Sequence, residues 1–287
     1  MSISAGIGGV AAFRTGLAAL AVVMGVGVGA TGAEPEVAAA PTIKPASEVT
    51  LDDGLDRWRS EVTLWLWLFG ISGDIAKGNV SAEVDADIGD IMEASDSIFA
   101  FSGRLEVAHD RIGGFIDGMY SDVGVDDATG PIGLGDVEVS LEISAIDFGL
   151  MYRAAQWNHP ASARDGALDV YAGGRWFSGT VGLSPALVPS QSGDRSWVDP
   201  IIGVKIRQPL SEHFHVAAWG DIGGFGVESD LTWSATVVLG WDFEMFNLAS
   251  TLYGGYRAIG WDYSDDSPTF VWDVVLHGPT LGLRISF

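Results

Sequence analysis

Ser229-Asp230-Leu231-Thr232-Trp233-Ser234-Ala235-Thr236-Val237-Val238-Leu239-Gly240-Trp241-Asp242-Phe243 alternates along nearly its whole length. Leu231, Trp233, Ala235, Val237, Leu239, Trp241 and Phe243 share one parity. Thr232, Ser234, Thr236, Gly240 and Asp242 share the other, with Val238 as the apolar exception. A period of two is the mark of a strand with one apolar face, because a helix repeats roughly every 3.6 residues. The run also exceeds the roughly five or six residues of a strand in a soluble sheet. Long strands with one apolar face are what a tilted membrane crossing requires.

Read outward from that stretch, the period continues from Trp58 to the C-terminus and yields about ten strands, near 60–72, 96–109, 111–123, 137–154, 167–182, 197–210, 213–226, 230–244, 247–262 and 269–287. Eight is the alternative count, should one hairpin not span. The connections sort by length. His109-Asp110-Arg111, Ser211-Glu212 and Glu244-Met245-Phe246 are very short, and the one around Gln156–Pro160 is longer. Residues 73–95, 124–136 and 183–196 form long, acidic connections at the other end. Short periplasmic turns and longer outer loops are the habit of bacterial barrels. The predicted fold is therefore all-β: a closed, antiparallel, up-and-down transmembrane β-barrel in the outer membrane. A soluble ligand-binding barrel, with its apolar faces inward, is the rival architecture.

Composition fits this reading. The chain has 287 residues, mean hydropathy is positive, and yet Asp and Glu outnumber Lys and Arg by 38 to 15. Apolar and acidic residues must then be segregated in space. With 39 Gly, 11 Trp and 13 Phe the chain suits strands and bilayer interfaces. The acidic balance argues against nucleic acid as a partner. The absence of Cys removes disulfides and thiolate chemistry. Ahead of the barrel, Arg14 precedes the apolar run Gly16–Ala30, shorter than the roughly 20 residues of a spanning helix. Residues 1–33 are predicted to be a signal peptide. Residues 34–57, rich in Ala, Pro and Glu, are predicted to be a periplasmic linker, and 58–287 the barrel.

Assigning the apolar parity to lipid sends a set of charges inward. They are Arg104, Glu106, Asp117, Glu138, Glu142, Arg153, Arg175, Lys205, Arg207, Asp221, Arg257, Asp273 and Arg284, seven basic and six acidic. Placing all of them inward requires phase slips near Ala145 and at Gly278-Pro279. A barrel of this size is narrow, and mixed charges in it are expected to pair and fill the lumen. Arg175 and Arg257, beside Gly173-Gly174 and Gly254-Gly255, are expected at the centre of that network. Trp176, Phe214, Trp241, Phe243, Tyr256 and Trp261 read as interface girdle, and Trp219 as an inward ring.

The last strand carries the sharpest motif: Leu281, Leu283, Ile285 and the terminal Phe287 alternate with Gly282, Arg284 and Ser286. This resembles the signal by which outer-membrane barrels are recognised for insertion, which implies the barrel-assembly machinery as a partner. Ser196–Gly203, Gly220–Gly226, Ser229–Trp233, Gly254–Arg257 and His277–Leu283 together resemble a family of proteobacterial outer-membrane proteins with a β-barrel domain. That resemblance implies location and fold and carries no substrate.

For function, a filled barrel displaying acidic loops, with a structural or surface-interaction role, leads. A narrow passive pore and an outer-membrane hydrolase or lipid A-modifying enzyme are the alternatives. His109, His159, His213 and His215 fall near the short turns and His277 inside the last strand, and no nucleophile motif accompanies them. The expectation is that the chain is not an enzyme and needs no cofactor. Asp85, Asp87 and Asp90, with Glu93, lie close in sequence but lack the spacing of a dedicated calcium loop, so solvated surface charge is the leading reading. Outer-membrane lipid and lipopolysaccharide are the expected surroundings.

Overall fold

The structure, a computed structural model, describes residues 44–45, 58–77, 80–89, 97–129, 136–159, 162, 165–185, 191–266 and 269–287. The predicted signal peptide, and all of the predicted linker except Lys44–Pro45, lie outside them. The elements are β1 (Lys44–Pro45), β2 (Trp58–Trp67), β3 (Gly70–Lys77), β4 (Val80–Ala86), β5 (Ser97–His109), β6 (Ile112–Thr129), β7 (Asp136–Trp157), β8 (Gly166–Pro185), β9 (Gln191–Pro209), β10 (Phe214–Gly224), β11 (Leu231–Met245), β12 (Leu248–Asp266) and β13 (Thr269–Ser286). No helix among the described residues is long and apolar enough to cross a membrane.

From β5 to β13 each strand pairs antiparallel with the next, and β2 pairs with both β5 and β13, closing the ring. β2 and β3 are one stave, since both pair with β13 in a single register, Trp67 opposite Thr280 and Gly70 opposite His277. The ladder lapses at Leu68-Phe69, opposite Gly278-Pro279. Pro279 has no N–H to give, and its carbonyl accepts from the Leu68 amide at 3.1 Å. The barrel thus has 10 staves, with β1 and β4 as additions on its wall: β4 pairs only with β3, and β1 with Gln156 and Ala155 of β7. Part of the predicted loop 73–95 is therefore strand.

The predicted phase slips do not occur. β13 keeps one register against β12 from Ala249–Ser286 to Asp266–Thr269. β7 runs unbroken past Ala145 and bulges instead between Arg153 and Ala155, and β6 is irregular between Val125 and Ala128. At one end two-residue turns join β5 to β6 and β11 to β12, and a longer connection joins β9 to β10. Phe246 and Asn247 have φ of 54° and 61°, the double left-handed pattern of a type I′ hairpin that suits the strands' twist.

Apolar side chains face out. Leu64, Leu66, Phe101, Ile116, Leu150, Ile202, Leu239 and Leu281 are exposed around the wall, while the opposite parity is buried. That is the inverse of a soluble barrel and the arrangement a bilayer stabilises. Trp58, Tyr152, Phe214 and Trp241 are exposed toward the short-turn end, where amphipathic rings favour the interface. β7, β8 and β9 have 22, 20 and 19 residues, against roughly 9–11 for a tilted crossing. About half of each stands clear of the bilayer, away from the short turns.

Candidate functional site

The lumen holds the polar side chains that the strand parity turns inward, and they form layers. In the middle, Arg175 is fully buried and uses every nitrogen. Its Nε and Nη2 donate to the two oxygens of Asp147 at 2.7 and 2.8 Å, Nη2 also to Asp221 at 2.9 Å, and Nη1 to the Thr232 hydroxyl at 2.9 Å. The two-pronged Arg–carboxylate contact fixes orientation as well as charge. Asp221 accepts further from the Ser234 hydroxyl at 2.6 Å and the Tyr171 hydroxyl at 3.0 Å.

Across the lumen, Asp117 lies between Arg257 at 3.1 Å and Arg104 at 3.4 Å. Glu106 joins Arg104 to Lys205. Toward the short turns, Arg284 reaches Glu61 at 3.4 Å, Asp242 at 3.7 Å and the Thr251 hydroxyl at 2.7 Å. Arg207 stands 3.9 Å from Glu61. His215 Nδ1 meets Asp242 at 2.9 Å and its Nε2 lies 3.3 Å from the Tyr253 hydroxyl. Arg153 donates twice to Asp169. Asp199, also fully buried, takes the Ser229 amide and hydroxyl and the Trp197 indole N–H, and so ties β9 to the outer turn before β11.

Above these layers the inward parity turns apolar. Trp67, Ile71, Met119, Ile143, Phe177, Trp197, Ile259, Trp261, Trp272, Val274 and Leu276 form one buried cluster. The Phe177 ring lies 4.5 Å from Trp197 and 4.7 Å from Trp261, and Trp197 stacks on Tyr263 at 4.1 Å. Arg257 lies over the Trp67 ring at 5.0 Å, where the cation meets the ring's negative face and couples the two zones.

Ten of the predicted lumen charges thus find partners inside: Arg104, Glu106, Asp117, Arg153, Arg175, Lys205, Arg207, Asp221, Arg257 and Arg284. Two are not. Glu142 is exposed on the outer face, because Ile143, Ala145 and Asp147 hold the inward parity and no slip intervenes. Asp273 also faces out, since Trp272, Val274 and Leu276 point in; it lies beside its register partners Asp262 and Asp74. Either charge would need a phase slip to lie inside, and neither slip is present. Trp261, read as girdle, is 1% exposed inside the lumen. The Glu138 side chain lies outside those described. Glu61, Asp147, Asp169, Asp199, His215 and Asp242 are lumen residues that the sequence reading did not place in the network.

Leu281 and Phe287 point outward and are exposed, with Leu283 and Ile285 half-buried on the same parity. The Phe287 amide donates to the Ser60 carbonyl at 2.9 Å, so the last residue is held in the ladder. Asp85 and Asp87 are exposed on and after β4, and Asp90 lies outside the described residues. Among the described residues no group of three or more His, Asp or Glu side chains is placed to hold a metal ion.

A closed ring of staves, apolar outside and polar within, defines a transmembrane β-barrel of the outer-membrane type. No family model matches the chain, and neither does any curated protein. Solved structures similar to it in fold include three outer-membrane barrels. Ail of Yersinia pestis, solved with the heparin analogue sucrose octasulfate, is 9% identical over 80% of this chain and 99% of its own, with a TM-score of 0.37. The protease OmpT of Escherichia coli is 12% identical over 83% and 99%, with a TM-score of 0.42. The translocator domain of the autotransporter NalP of Neisseria meningitidis is 15% identical over 96% of both, with a TM-score of 0.37. The expectation that the chain is no enzyme is corrected here. Among the similar structures is an outer-membrane protease, so the fold by itself excludes no activity.

Proposed function

We propose that the chain is an outer-membrane barrel whose own side chains seal its lumen, and that it works as a rigid mount for the strand extensions on its outer side rather than as a pore. One observation carries this reading. The space left among Glu61, Arg104, Glu106, Lys205, Arg207 and Arg284 is about 20 Å³, room for roughly one water molecule. The aromatic cluster lies above it with side chains at most 8% exposed. A permeating ion would have to break pairs whose separation leaves buried charge uncompensated.

On this reading residues 1–33 direct export and 34–57 lie in the periplasm. Leu281, Leu283, Ile285 and Phe287 present the insertion signal to the assembly machinery. The acidic outer connections, Asp85 and Asp87 among them, face lipopolysaccharide and whatever the cell surface meets. The test is conductance. The full chain, refolded and inserted in a planar bilayer, is expected to give no steady current, and large, reproducible open levels overturn the sealed lumen.

A further inference from the structure

The outer wall carries a built depression at its short-turn end. Trp58, Ile112, Leu150 and Tyr152 wall a groove of about 560 Å³ over Gly114, with Arg111 at its mouth. The four walls are 70, 63, 69 and 44% exposed. Gly114 shares the outward parity of Ile112 and Ile116, so its missing side chain is what lowers the floor. Higher on the same wall a second depression of about 480 Å³ runs over Gly103 and Gly118, between Phe101, Leu105 and Ile146. Gly103 and Gly118 are register partners, and a Cβ at Gly118 would meet nothing within 4 Å.

Arg111 and Asp110 place one charge of each sign at the mouth. Arg111 sits in the turn between β5 and β6, where its carbonyl accepts the Arg153 amide at 2.8 Å. Its guanidinium has no partner among the described residues. The neighbouring Asp110 carboxylate faces His109 Nδ1 at 3.4 Å, and the His109 ring packs on Trp58 at 4.9 Å. A guanidinium on an apolar stem at a bilayer boundary reaches for phosphate, which its planar fork matches. A trough of glycines below it suits an alkyl chain.

We propose that this groove holds one anionic glycerophospholipid of the periplasmic leaflet, its phosphate on Arg111 and an acyl chain over Gly114. The proposal rests on the reading that places the short turns at the periplasmic face. The test is native mass spectrometry of the detergent-solubilised full chain with phosphatidylglycerol, with phosphatidylcholine as the comparison. Wild type is expected to retain phosphatidylglycerol in preference. Arg111→Gln should lower that retention about fivefold, the worth of one basic residue at an anionic lipid surface, and leave phosphatidylcholine unchanged. Gly114→Leu, whose Cβ would find only ordinary contact with the Gly149 carbonyl at 3.5 Å, should lower both while the barrel still shifts on unboiled gels. Retention equal to wild type in both variants overturns the proposal. So does displacement of the lipid by millimolar inorganic phosphate, which would make the site one for the free anion. A conducting wild-type barrel would overturn the sealed lumen and leave the lipid result standing.

Discussion

Replacing Arg175 with Met tests the lumen network where it is most enclosed. The guanidinium is 0% exposed, and its removal strands two carboxylates in a space it had neutralised. Breaking a buried pair by deleting one partner costs about 3–5 kcal/mol, because the remaining charge is left uncompensated. That is roughly a hundredfold to a few thousandfold in the folding constant, at about 1.4 kcal/mol per decade. The two carboxylates are not equally exposed to the loss. Asp221 keeps the hydroxyls of Ser234 and Tyr171. Asp147 is held, among the described residues, by Arg175 alone. In the Arg175→Met background, Asp147→Asn should therefore restore more stability than Asp221→Asn, and the two together should bring the barrel to within about 1–2 kcal/mol of wild type, since neutral replacements of a buried ionic group are often tolerated. The assay is urea unfolding of the barrel refolded in detergent, followed by tryptophan fluorescence and by the heat-dependent gel shift. A loss below about 1 kcal/mol for Arg175→Met, the range of an exposed pair, refutes the claim that this layer is dry. A triple variant as unstable as the single refutes the claim that charge, rather than packing, is what was lost.

Trp272→Ala should cost about 3–5 kcal/mol by the same unfolding assay, because its ring is fully buried and packs on Phe177 at 5.3 Å; a loss below half of that would mean that the cluster relaxes to fill the space. Phe246→Asn in the β11–β12 turn should raise stability by about 0.5–1 kcal/mol, because an 88% exposed Phe is held at φ 54° there and Asn tolerates that region better; an unchanged urea midpoint would show that the ring's interfacial anchoring balances its strain. Raising NaCl to about 1 M shortens the screening length to about 3 Å and should leave the unfolding midpoint of Arg153→Gln and wild type equally displaced, because the Arg153–Asp169 pair lies inside the wall with side chains 19% and 8% exposed; a pair that weakens selectively with salt is in contact with bulk solvent.

A side chain's parity along a strand is a local property, and that is why the sequence alone sends residues as far apart as Glu106 and Lys205, which meet at 2.7 Å in the structure, to one lumen. The same rule, applied without exceptions, would also have found Asp147 and Asp199. Asp147 stands between Ile146 and Phe148, both exposed, and the alternation alone turns it inward. The aromatic zone was not legible in this way. Trp67, Phe177, Trp261 and Trp272 sit on the inward parity but have the chemistry of lipid-facing residues, and composition cannot say which side of a wall a ring occupies. Nor does alternation record where a stave leaves the bilayer: the ends of β6, β8 and β9 away from the short turns fall within the predicted loops 124–136 and 183–196.

The two zones of the lumen do different things for the fold. Buried ion pairs are weak sources of net stability, because desolvation offsets their attraction. Their bonds here reach across the ring, however: Arg257 of β12 to Asp117 of β6, Lys205 of β9 to Glu106 of β5, and Arg175 of β8 to Asp221 of β10. A one-residue slip of any of these staves would turn its cation out into acyl chains, at about 2–4 kcal/mol for each Arg or Lys near the bilayer midplane, and would leave its partner unpaired inside. The penalty falls on every wrong register and on none of the right one, so the charges select the register of the ring. The rings above, from Trp67 to Trp272, supply the apolar burial that the paired charges do not, and by excluding water from the outer end they keep those pairs strong enough to select. A lumen lined only with apolar residues would lack that preference for one register. One lined only with charges would fill with water and lose the strength of its pairs.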